Sequence, residues 1–230
     1  MNMFRQYEYE EDMYLSLDGS ATLTISTSIP ALNALRGTSF EPSPNARTDR
    51  DAVRAYFSTP NTRVVWVRPS RRSNRRFVHV RVEVDDVRRL NQAAPFSWST
   101  YQFGKDDSLY VFKQTVGPSA GGSPGAVNWT GREMVVFRLH LPSKITDQNT
   151  GEEPRRGNIL VWEQPLADRM KGVPLAFEAR METQSILYRT LWLFGATFLA
   201  VAVAFALVIG WVLKRGAAPP DEPRLEKRPG

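Results

Sequence analysis

The stretch RVVWVRPSRRSNRRFVHVRVEV, residues 63–84, decides the fold class of this 230-residue chain. Its second half places valines 78, 80, 82 and 84 between larger or charged residues. This period of two is typical of a strand with one buried face. A shorter β-rich run, Arg63–Arg68, precedes it, and the segment PSRRSNRR lies between them. The stretch therefore predicts two antiparallel strands joined by an arginine-rich turn.

Further strands are predicted on both sides of this stretch. Alternating residues flank the turn Asp18-Gly19-Ser20, and such a turn is typical of a β-hairpin. The other segments with strand composition are Tyr7–Leu17, Ala21–Ser28, Phe96–Phe103, Ser108–Gln114, Glu133–Leu141, Asn158–Glu163 and Pro174–Met181.

Capping residues predict short helices between the strands. The candidates run from a Ser28 cap to Gly37, from about Asp49 to Phe57 with Thr48 and Asp51 as a capping pair, and from Asp85 or Asp86 to Pro95. Strands with two or three interspersed helices favour an α+β domain built mainly on antiparallel sheet.

The segment TLWLFGATFLAVAVAFALVIGWVL, residues 190–213, contains no charged residue. A helix rises about 1.5 Å per residue, so this segment is long enough to cross a hydrocarbon layer of about 30 Å. The side chains suited to a membrane interface are Tyr188, Arg189, Trp192, Trp211, Lys214 and Arg215. We therefore predict a soluble domain at residues 1–187, a transmembrane helix at 188–213 and a disordered polar tail at 214–230.

Small residues recur along two faces of the predicted transmembrane helix, and such faces allow a second helix to approach closely. They are Ala196, Ala200 and Ala204 on one face and Ala202, Ala206 and Gly210 on the other. Association of this helix with another is therefore a further expectation.

The charges beside the transmembrane segment predict its orientation. Lys214 and Arg215 place the C-terminal tail in the cytoplasm by the positive-inside rule, and the domain then lies on the other side of the membrane. Met1, however, is followed by charged, strand-like residues and not by an apolar signal region. We expect that a signal sequence has been lost from the start. If the chain is complete, a cytoplasmic domain on a tail anchor is the alternative.

Enzyme and metal chemistry find no support in the sequence. The chain has no cysteine, and it contains no GxSxG, HExxH, P-loop or dinucleotide-binding pattern. His79 and His140 lie in predicted strands, away from any metal-ligand spacing, and are interpreted as structural. A solvated strand face is the interpretation of the acidic run Glu8, Glu10, Glu11 and Asp12. We predict no catalytic activity, no cofactor and no metal.

Five arginines surround the predicted turn of the central hairpin: Arg68, Arg71, Arg72, Arg75 and Arg76. Guanidinium groups pair with phosphate oxygens through two hydrogen bonds, so this cluster is a candidate site for anionic lipid or an acidic partner. A solvated turn that resists edge-to-edge aggregation is the alternative. A formal net charge of +6, part of it in the C-terminal tail, is too small to favour nucleic acid.

The segment FRLHLPSKITDQNTGEEPRRGNILVWEQPL, residues 137–166, joins a strand ending in Leu-Pro, an Asn-bearing turn and an apolar strand after Gly-Asn. It resembles the extracytoplasmic domain of the LppM-like bacterial envelope lipoproteins. The resemblance implies an α+β domain with a curved sheet, exposure at the cell envelope, a role in handling lipid and a C-terminal transmembrane helix. It also implies a signal sequence and a lipid-bearing cysteine ahead of the domain, and this chain contains neither. The family supplies no catalytic residues.

Two functions are favoured at this point, ahead of a third, a membrane-tethered hydrolase of unfamiliar type. The first is a non-catalytic envelope protein whose domain binds or presents lipid, and the second is an assembly component that packs against another membrane protein. The position of the domain's aromatic residues distinguishes the two functions. Residues that line a cavity for an acyl chain would favour lipid binding, and residues that fill the core would favour a protein partner. The aromatic residues are Trp66, Phe77, Trp98, Tyr101, Tyr110, Phe112, Phe137 and Trp162, and we expect them to fill the core.

Overall fold

The computed structural model of the protein describes residues 6–151, 153–154 and 158–216, and the chain divides into two compact units, Met1–Ile186 and Leu187–Gly230. The strands in this part are β1 (Gln6–Leu15), β2 (Ala21–Ser28), β3 (Thr62–Arg72), β4 (Arg75–Val84), β5 (Ser99–Asp106), β6 (Leu109–Val116), β7 (Glu133–His140), β8 (Ser143–Gln148), β9 (Ile159–Pro165) and β10 (Leu175–Ser185). The α-helices are α1 (Ile29–Arg36), α2 (Arg50–Phe57), α3 (Leu166–Met170) and α4 (Ile186–Gly216), and two 3₁₀ helices cover Val87–Gln92 and Ala94–Phe96.

Two sheets form the first unit within the described residues. One has six strands in the order β3-β4-β2-β1-β7-β9, and the other has four in the order β5-β6-β10-β8. All the paired strands are antiparallel except β1 and β7, which run parallel. The predicted fold class, α+β on mainly antiparallel sheet with short helices, is therefore confirmed.

The first hairpin and the helix after it follow the sequence prediction. Strands β1 and β2 pair around the turn at Gly19, which has a φ of 93°. The hydroxyl of Ser28 accepts a hydrogen bond from the backbone N–H of Ala31 at 3.1 Å, and so caps α1. Gly37 ends this helix with a φ of 68°, a left-handed conformation that glycine adopts without strain.

The predicted cap of α2 and the predicted type of the third helix need correction. Asp49, and not Thr48, caps α2, because its Oδ1 accepts from the N–H groups of Asp51 at 3.1 Å and Ala52 at 2.9 Å. A carboxylate satisfies two helix-end donors at once, whereas Thr48 lies one residue too early. The third predicted helix begins at an Asp86 cap as expected, but it is a 3₁₀ helix.

The central hairpin is longer than predicted. Strands β3 and β4 continue through the segment expected to be a turn, and only Ser73 and Asn74 separate them, with φ of 49° and 57°. Two consecutive residues with positive φ match the twist of a two-residue hairpin, and asparagine tolerates this conformation. We call β3, β4 and their turn, residues 62–84, the arginine hairpin.

The two sheets of the first unit meet through aromatic side chains. Phe177 of β10 lies 5.1 Å from Phe137 of β7 and 4.5 Å from Trp162 of β9, measured between ring centroids, and all three are buried. The gap that remains beside them is about 10 Å³, roughly the space of one water molecule. Aromatic side chains therefore fill this contact, which has no room for an acyl chain.

The second unit contains most of α4. Its segment Thr190–Arg215 has 26 residues, and the most apolar window of 18 residues within it has a mean hydropathy of 2.5 and is not buried inside the structure. The chain thus has a helix long and apolar enough to cross a membrane. The helix continues through Lys214 and Arg215 to Gly216, and the rest of the predicted tail, 217–230, lies outside the described residues.

Replacing Phe177 with alanine removes the ring that joins the sheets. We expect Phe177→Ala to lower the free energy of unfolding by about 3–5 kcal/mol, the usual cost of truncating a buried phenylalanine. Urea denaturation of the full chain in neutral detergent, followed by tryptophan fluorescence, measures this loss. As a control, Val65→Ala removes a side chain that is 40% exposed and is expected to change stability by less than about 0.5 kcal/mol. Equal losses in the two variants would contradict the placement of Phe177.

Candidate functional site on the arginine hairpin

The five arginines of the predicted site lie on the arginine hairpin, but their environments differ. Three of them have exposed side chains: Arg68, Arg71 and Arg72. Arg75 and Arg76 are buried, with 9% and 4% of their surface accessible. Residues on a strand alternate between its faces, and Arg71 pairs with Arg76 across the hairpin. Arg71 and Arg76 therefore share one face, and Arg68 and Arg72 lie on the other.

Arg75 has a structural role, because two buried carboxylates neutralise it. Its Nη2 lies 3.4 Å from Oε1 of Glu8, and its Nη1 lies 3.6 Å from Oε1 of Glu133. The N–H groups of Thr130 and Gly131 donate to the Glu133 carboxylate at 2.8 and 2.9 Å. These contacts tie the tip of the arginine hairpin to β1 and to the start of β7.

The two carboxylates that face Arg75 have opposite pKa shifts. Burial raises the pKa of Glu8 above its ordinary value, and the positive charge of Arg75 offsets this only in part. Burial acts in the same direction on Glu133, but the N–H donors of Thr130 and Gly131 and the charge of Arg75 hold its pKa below the ordinary value. Of the two carboxylates, Glu8 is therefore the one whose negative charge is less stabilised by its neighbours.

The acidic run of β1 is not the solvated face that was predicted. Glu8 and Glu11 are buried, with 0% and 2% exposure, whereas Glu10 and Asp12 remain half-buried. The pairing of β1 with β7 shifts by one residue between Tyr7 and Tyr9, and this β-bulge turns Glu8 inward beside Tyr9. Hydrophobic alternation alone did not reveal this bulge.

Arg76 holds a loop against the hairpin. Its Nε donates to the carbonyl oxygen of Ser43 at 2.8 Å, and its Nη1 donates to the hydroxyl of Thr48 at 3.2 Å. Arg71 donates to the carbonyl oxygen of Pro44 in the same loop. Burial lowers the pKa of Arg76, and nearby Glu41 opposes this shift while Arg71 adds to it. Among the described residues, no carboxylate lies within 4.0 Å of Arg76.

A depression of about 330 Å³ lies between this loop and the arginine hairpin. No acidic residue lines it, and the polar residues in the lining are Arg47, Thr48, Arg50, Ser70, Arg71 and Arg76. Sequence reasoning found Arg71 and Arg76 but missed Arg47, Thr48 and Arg50, because the segment EPSPNART indicated only a loop and the residues after it indicated only a helix. The close spacing of Arg47 and Arg50 across the start of α2 was the available signal.

The other face of the hairpin presents arginines stacked on aromatic rings. The guanidinium carbon of Arg68 lies 4.7 Å from the centroid of the Trp66 ring, and that of Arg72 lies 4.4 Å from the Phe77 ring. Arg72 also donates to the carbonyl oxygen of Tyr7. Within the described part of the chain, neither guanidinium has a carboxylate within 4.0 Å, so both charges face solvent without a counter-ion.

The two histidines contact hydroxyl, aromatic and carboxylate groups, the last being Asp12, whose Oδ1 lies 3.6 Å from His140 Nε2. His79 Nδ1 lies 2.9 Å from Ser26 Oγ, its Nε2 lies 2.8 Å from Ser70 Oγ, and burial lowers its pKa. His140 stacks on Tyr14 with ring centroids 3.8 Å apart. In the described ranges, no group of three His, Cys, Asp or Glu side chains is arranged to hold a metal ion.

The predicted membrane-interface residues lie at both ends of α4. Tyr188, Trp192 and Trp211 are exposed, and the Arg215 guanidinium carbon lies 4.0 Å from the centroid of the Trp211 ring. Lys214 is exposed in the last turn of the helix, and the side chain of Arg189 lies outside the described part. Amphipathic rings and cations at helix ends are suited to the headgroup layer.

Comparison with known proteins shows a distant structural likeness. No protein-family model matches the chain, and no curated protein matches it. The NMR structure of the folded domain of the Mycobacterium tuberculosis LppM protein is similar over 79% of this chain and 94% of its own length, with 12% sequence identity and a TM-score of 0.42. Membership of the LppM-like family stays a prediction from the sequence.

Replacing Glu8 with glutamine tests the buried pair with Arg75. An ordinary glutamate titrates near pH 4.5, and burial raises the folded-state pKa of Glu8 above this value. The stability that Glu8 contributes is therefore present below about pH 4.5 and is lost as the pH rises through the folded-state pKa. Glutamine does not titrate, so we expect the unfolding free energy of Glu8→Gln, relative to the parent chain, to rise over this window. Urea denaturation at a series of pH values measures it, and a pH-independent difference would contradict the shift.

Proposed function

We propose that this chain is a membrane-anchored envelope protein of the LppM-like type, whose domain binds the headgroups of anionic lipids through the arginine hairpin. The observation that carries the proposal is that Arg68, Arg71 and Arg72 are exposed near the hairpin tip with no carboxylate within 4.0 Å in the described residues. Cationic groups close to an anionic membrane surface each contribute about 1 kcal/mol to binding.

Helix α4 supports the anchoring part of the proposal. An unburied helical window of 18 residues with a mean hydropathy of 2.5 is costly to keep in water and is stable in a bilayer. The positive charges of Lys214 and Arg215 at its C-terminal end favour a cytoplasmic tail and a domain on the outer side of the membrane.

The packing of the domain favours recognition of a headgroup over extraction of a whole lipid. The contact between the two sheets leaves only about 10 Å³ beside Phe137, Trp162 and Phe177, far less than an acyl chain occupies. Polar headgroups, in contrast, need only a basic surface. The proposed ligand is therefore a lipid that stays in its bilayer.

The alternative, an assembly component that packs against another membrane protein, has less support from the first unit. Its exposed large apolar side chains, among the described residues, are Tyr14, Val65, Met170 and Val173. They belong to different elements or loops, whereas a protein-binding surface usually has a contiguous apolar patch. Association through the small-residue faces of α4 remains a separate expectation.

The proposed orientation can be tested by cysteine labelling, because the chain has no native cysteine. We expect a membrane-impermeant maleimide to label Ser123→Cys, in the domain, on intact spheroplasts that express the full chain. Ala218→Cys, in the tail, should react only after the membrane is permeabilised. Labelling of the tail and not the domain on intact spheroplasts would contradict the proposed orientation.

Vesicle capture tests the proposed lipid binding. Proteoliposomes of phosphatidylcholine that carry the full chain are mixed with labelled vesicles of phosphatidylcholine alone or with added phosphatidylglycerol, and co-flotation is measured. We expect the chain to capture only the anionic vesicles. The captured fraction should fall as salt is added, because salt screens the attraction between the arginines and the headgroups. The triple variant Arg68→Gln, Arg71→Gln, Arg72→Gln should weaken capture on the order of 100-fold, at about 1 kcal/mol per arginine.

A matched variant controls for net charge in this assay. Arg63, Arg88 and Arg89 are exposed arginines away from the hairpin tip, and Arg63 and Arg88 already pair with Glu83 and Asp86. Replacing these three with glutamine removes the same charge and should leave capture nearly unchanged. Equal losses in the two triple variants would show a nonspecific charge effect and would contradict the proposal.

A further inference from the structure

Arg76 is a buried cation that has no carboxylate within 4.0 Å among the residues that the structure describes. Buried charges in proteins are normally paired, because the loss of hydration is costly. Arg75 follows this rule through Glu8 and Glu133, and Arg36 follows it through Glu11 at 3.1 Å. Arg76 is 4% exposed, and in the described residues it has only the neutral acceptors Ser43 and Thr48.

Arg169 is a purely structural arginine, and comparison with it shows how Arg76 differs. It is also buried without a carboxylate partner, but it donates to the carbonyl oxygens of Val116 at 3.3 Å and Gly117 at 2.7 Å within the fold. Arg76 instead lines the open depression of about 330 Å³, where a molecule from solvent can reach it.

Three further arginines surround this depression. Arg47 and Arg50 come from the loop and first turn of α2, and Arg71 comes from β3, directly across from Arg76. Four arginines thus line one depression that has no acidic residue in its lining. Such a concentration of like charge is unfavourable unless an anion occupies the space between the groups.

The carboxylates nearest to the depression have other roles. Oδ1 of Asp49 accepts from the N–H groups at the start of α2, and Oε1 of Glu41 accepts from the N–H of Ser43 at 2.9 Å. Asp51 belongs to a neighbouring cavity lined by residues 47–51. Glu41 acts on Arg76 through its charge, but from beyond 4.0 Å.

We infer that the depression is a binding site for one phosphoryl group, held by Arg47, Arg50, Arg71 and Arg76. A phosphate ester carries more charge and more acceptor oxygens than a carboxylate, and it can accept paired hydrogen bonds from several guanidinium groups. The hydroxyl of Thr48, a residue of the lining, is a further donor. This inference deepens the proposed function, on which it rests for the source of the phosphate, a lipid headgroup.

A phosphate titration tests the site directly. The full chain in a neutral, phosphate-free detergent is titrated with inorganic phosphate and with glycerol 3-phosphate by isothermal calorimetry. We expect both ligands to bind. Arg47 and Arg50 are exposed, so the double variant Arg47→Gln, Arg50→Gln should fold normally. It should bind on the order of 100-fold more weakly, at about tenfold for each lost charge-assisted contact.

The matched control lies away from the depression. The variant Arg88→Gln, Arg89→Gln removes two exposed arginines that do not line the depression, and it should bind phosphate as the parent chain does. No phosphate binding by the parent chain, or equal losses in the two double variants, would overturn the phosphoryl site.

Vesicle capture by the same variants separates the two proposals. If Arg47→Gln, Arg50→Gln binds phosphate poorly and also captures fewer anionic vesicles, the phosphate of the lipid headgroup occupies the site. If the parent chain binds phosphate but captures no vesicles, the phosphoryl site holds for a free phosphate ester and the lipid proposal fails. If vesicles are captured but phosphate is not bound, the phosphoryl site fails and the lipid proposal holds.

Discussion

A buried guanidinium group must find an anion or a full set of acceptors to replace the water that it loses. This constraint organises the domain around its arginines. Arg36 meets Glu11 and stacks 3.8 Å from the centroid of the Trp98 ring, and Arg75 joins β4 to β1 and β7 through Glu8 and Glu133. Breaking such a pair leaves an uncompensated charge, which costs about 3–5 kcal/mol. The position of the arginine hairpin therefore depends on these contacts.

The same constraint divides the arginine hairpin into structural and ligand-facing parts. Arg75 is neutralised within the fold, so it has no role left to play toward a ligand. Arg76 and Arg71 hold the loop at Ser43 and Pro44, and this contact brings Arg47 and Arg50 to the same depression. The loop thus converts a row of arginines on two strands into a concave basic surface. Shape, as well as charge, then favours a compact anion.

Local sequence signals predicted the strands and failed for the buried charges. The alternation in residues 63–84, the turn at Gly19 and the Ser28 cap depend on neighbouring residues, so the sequence contained them. The bulge that buries Glu8 depends on the pairing of β1 with β7, more than 120 positions away. Strand β8 was missed because it is an edge strand with mostly exposed side chains, and without a buried face it lacks a hydrophobic alternation. The local sequence around a charged residue does not distinguish a solvated side chain from a buried one that is paired.

Anchoring changes how strong a headgroup site must be. In the proposed arrangement, α4 keeps the domain beside a surface of lipid, so binding becomes an intramolecular event at an effective concentration that can reach millimolar. A weak site then suffices to stay occupied. The exposed Arg68 and Arg72 would supply an attraction that salt screens over a Debye length of about 8 Å at physiological ionic strength, whereas the buried Arg76 would be screened less. Long-range attraction and headgroup selection would thus come from opposite faces of one hairpin.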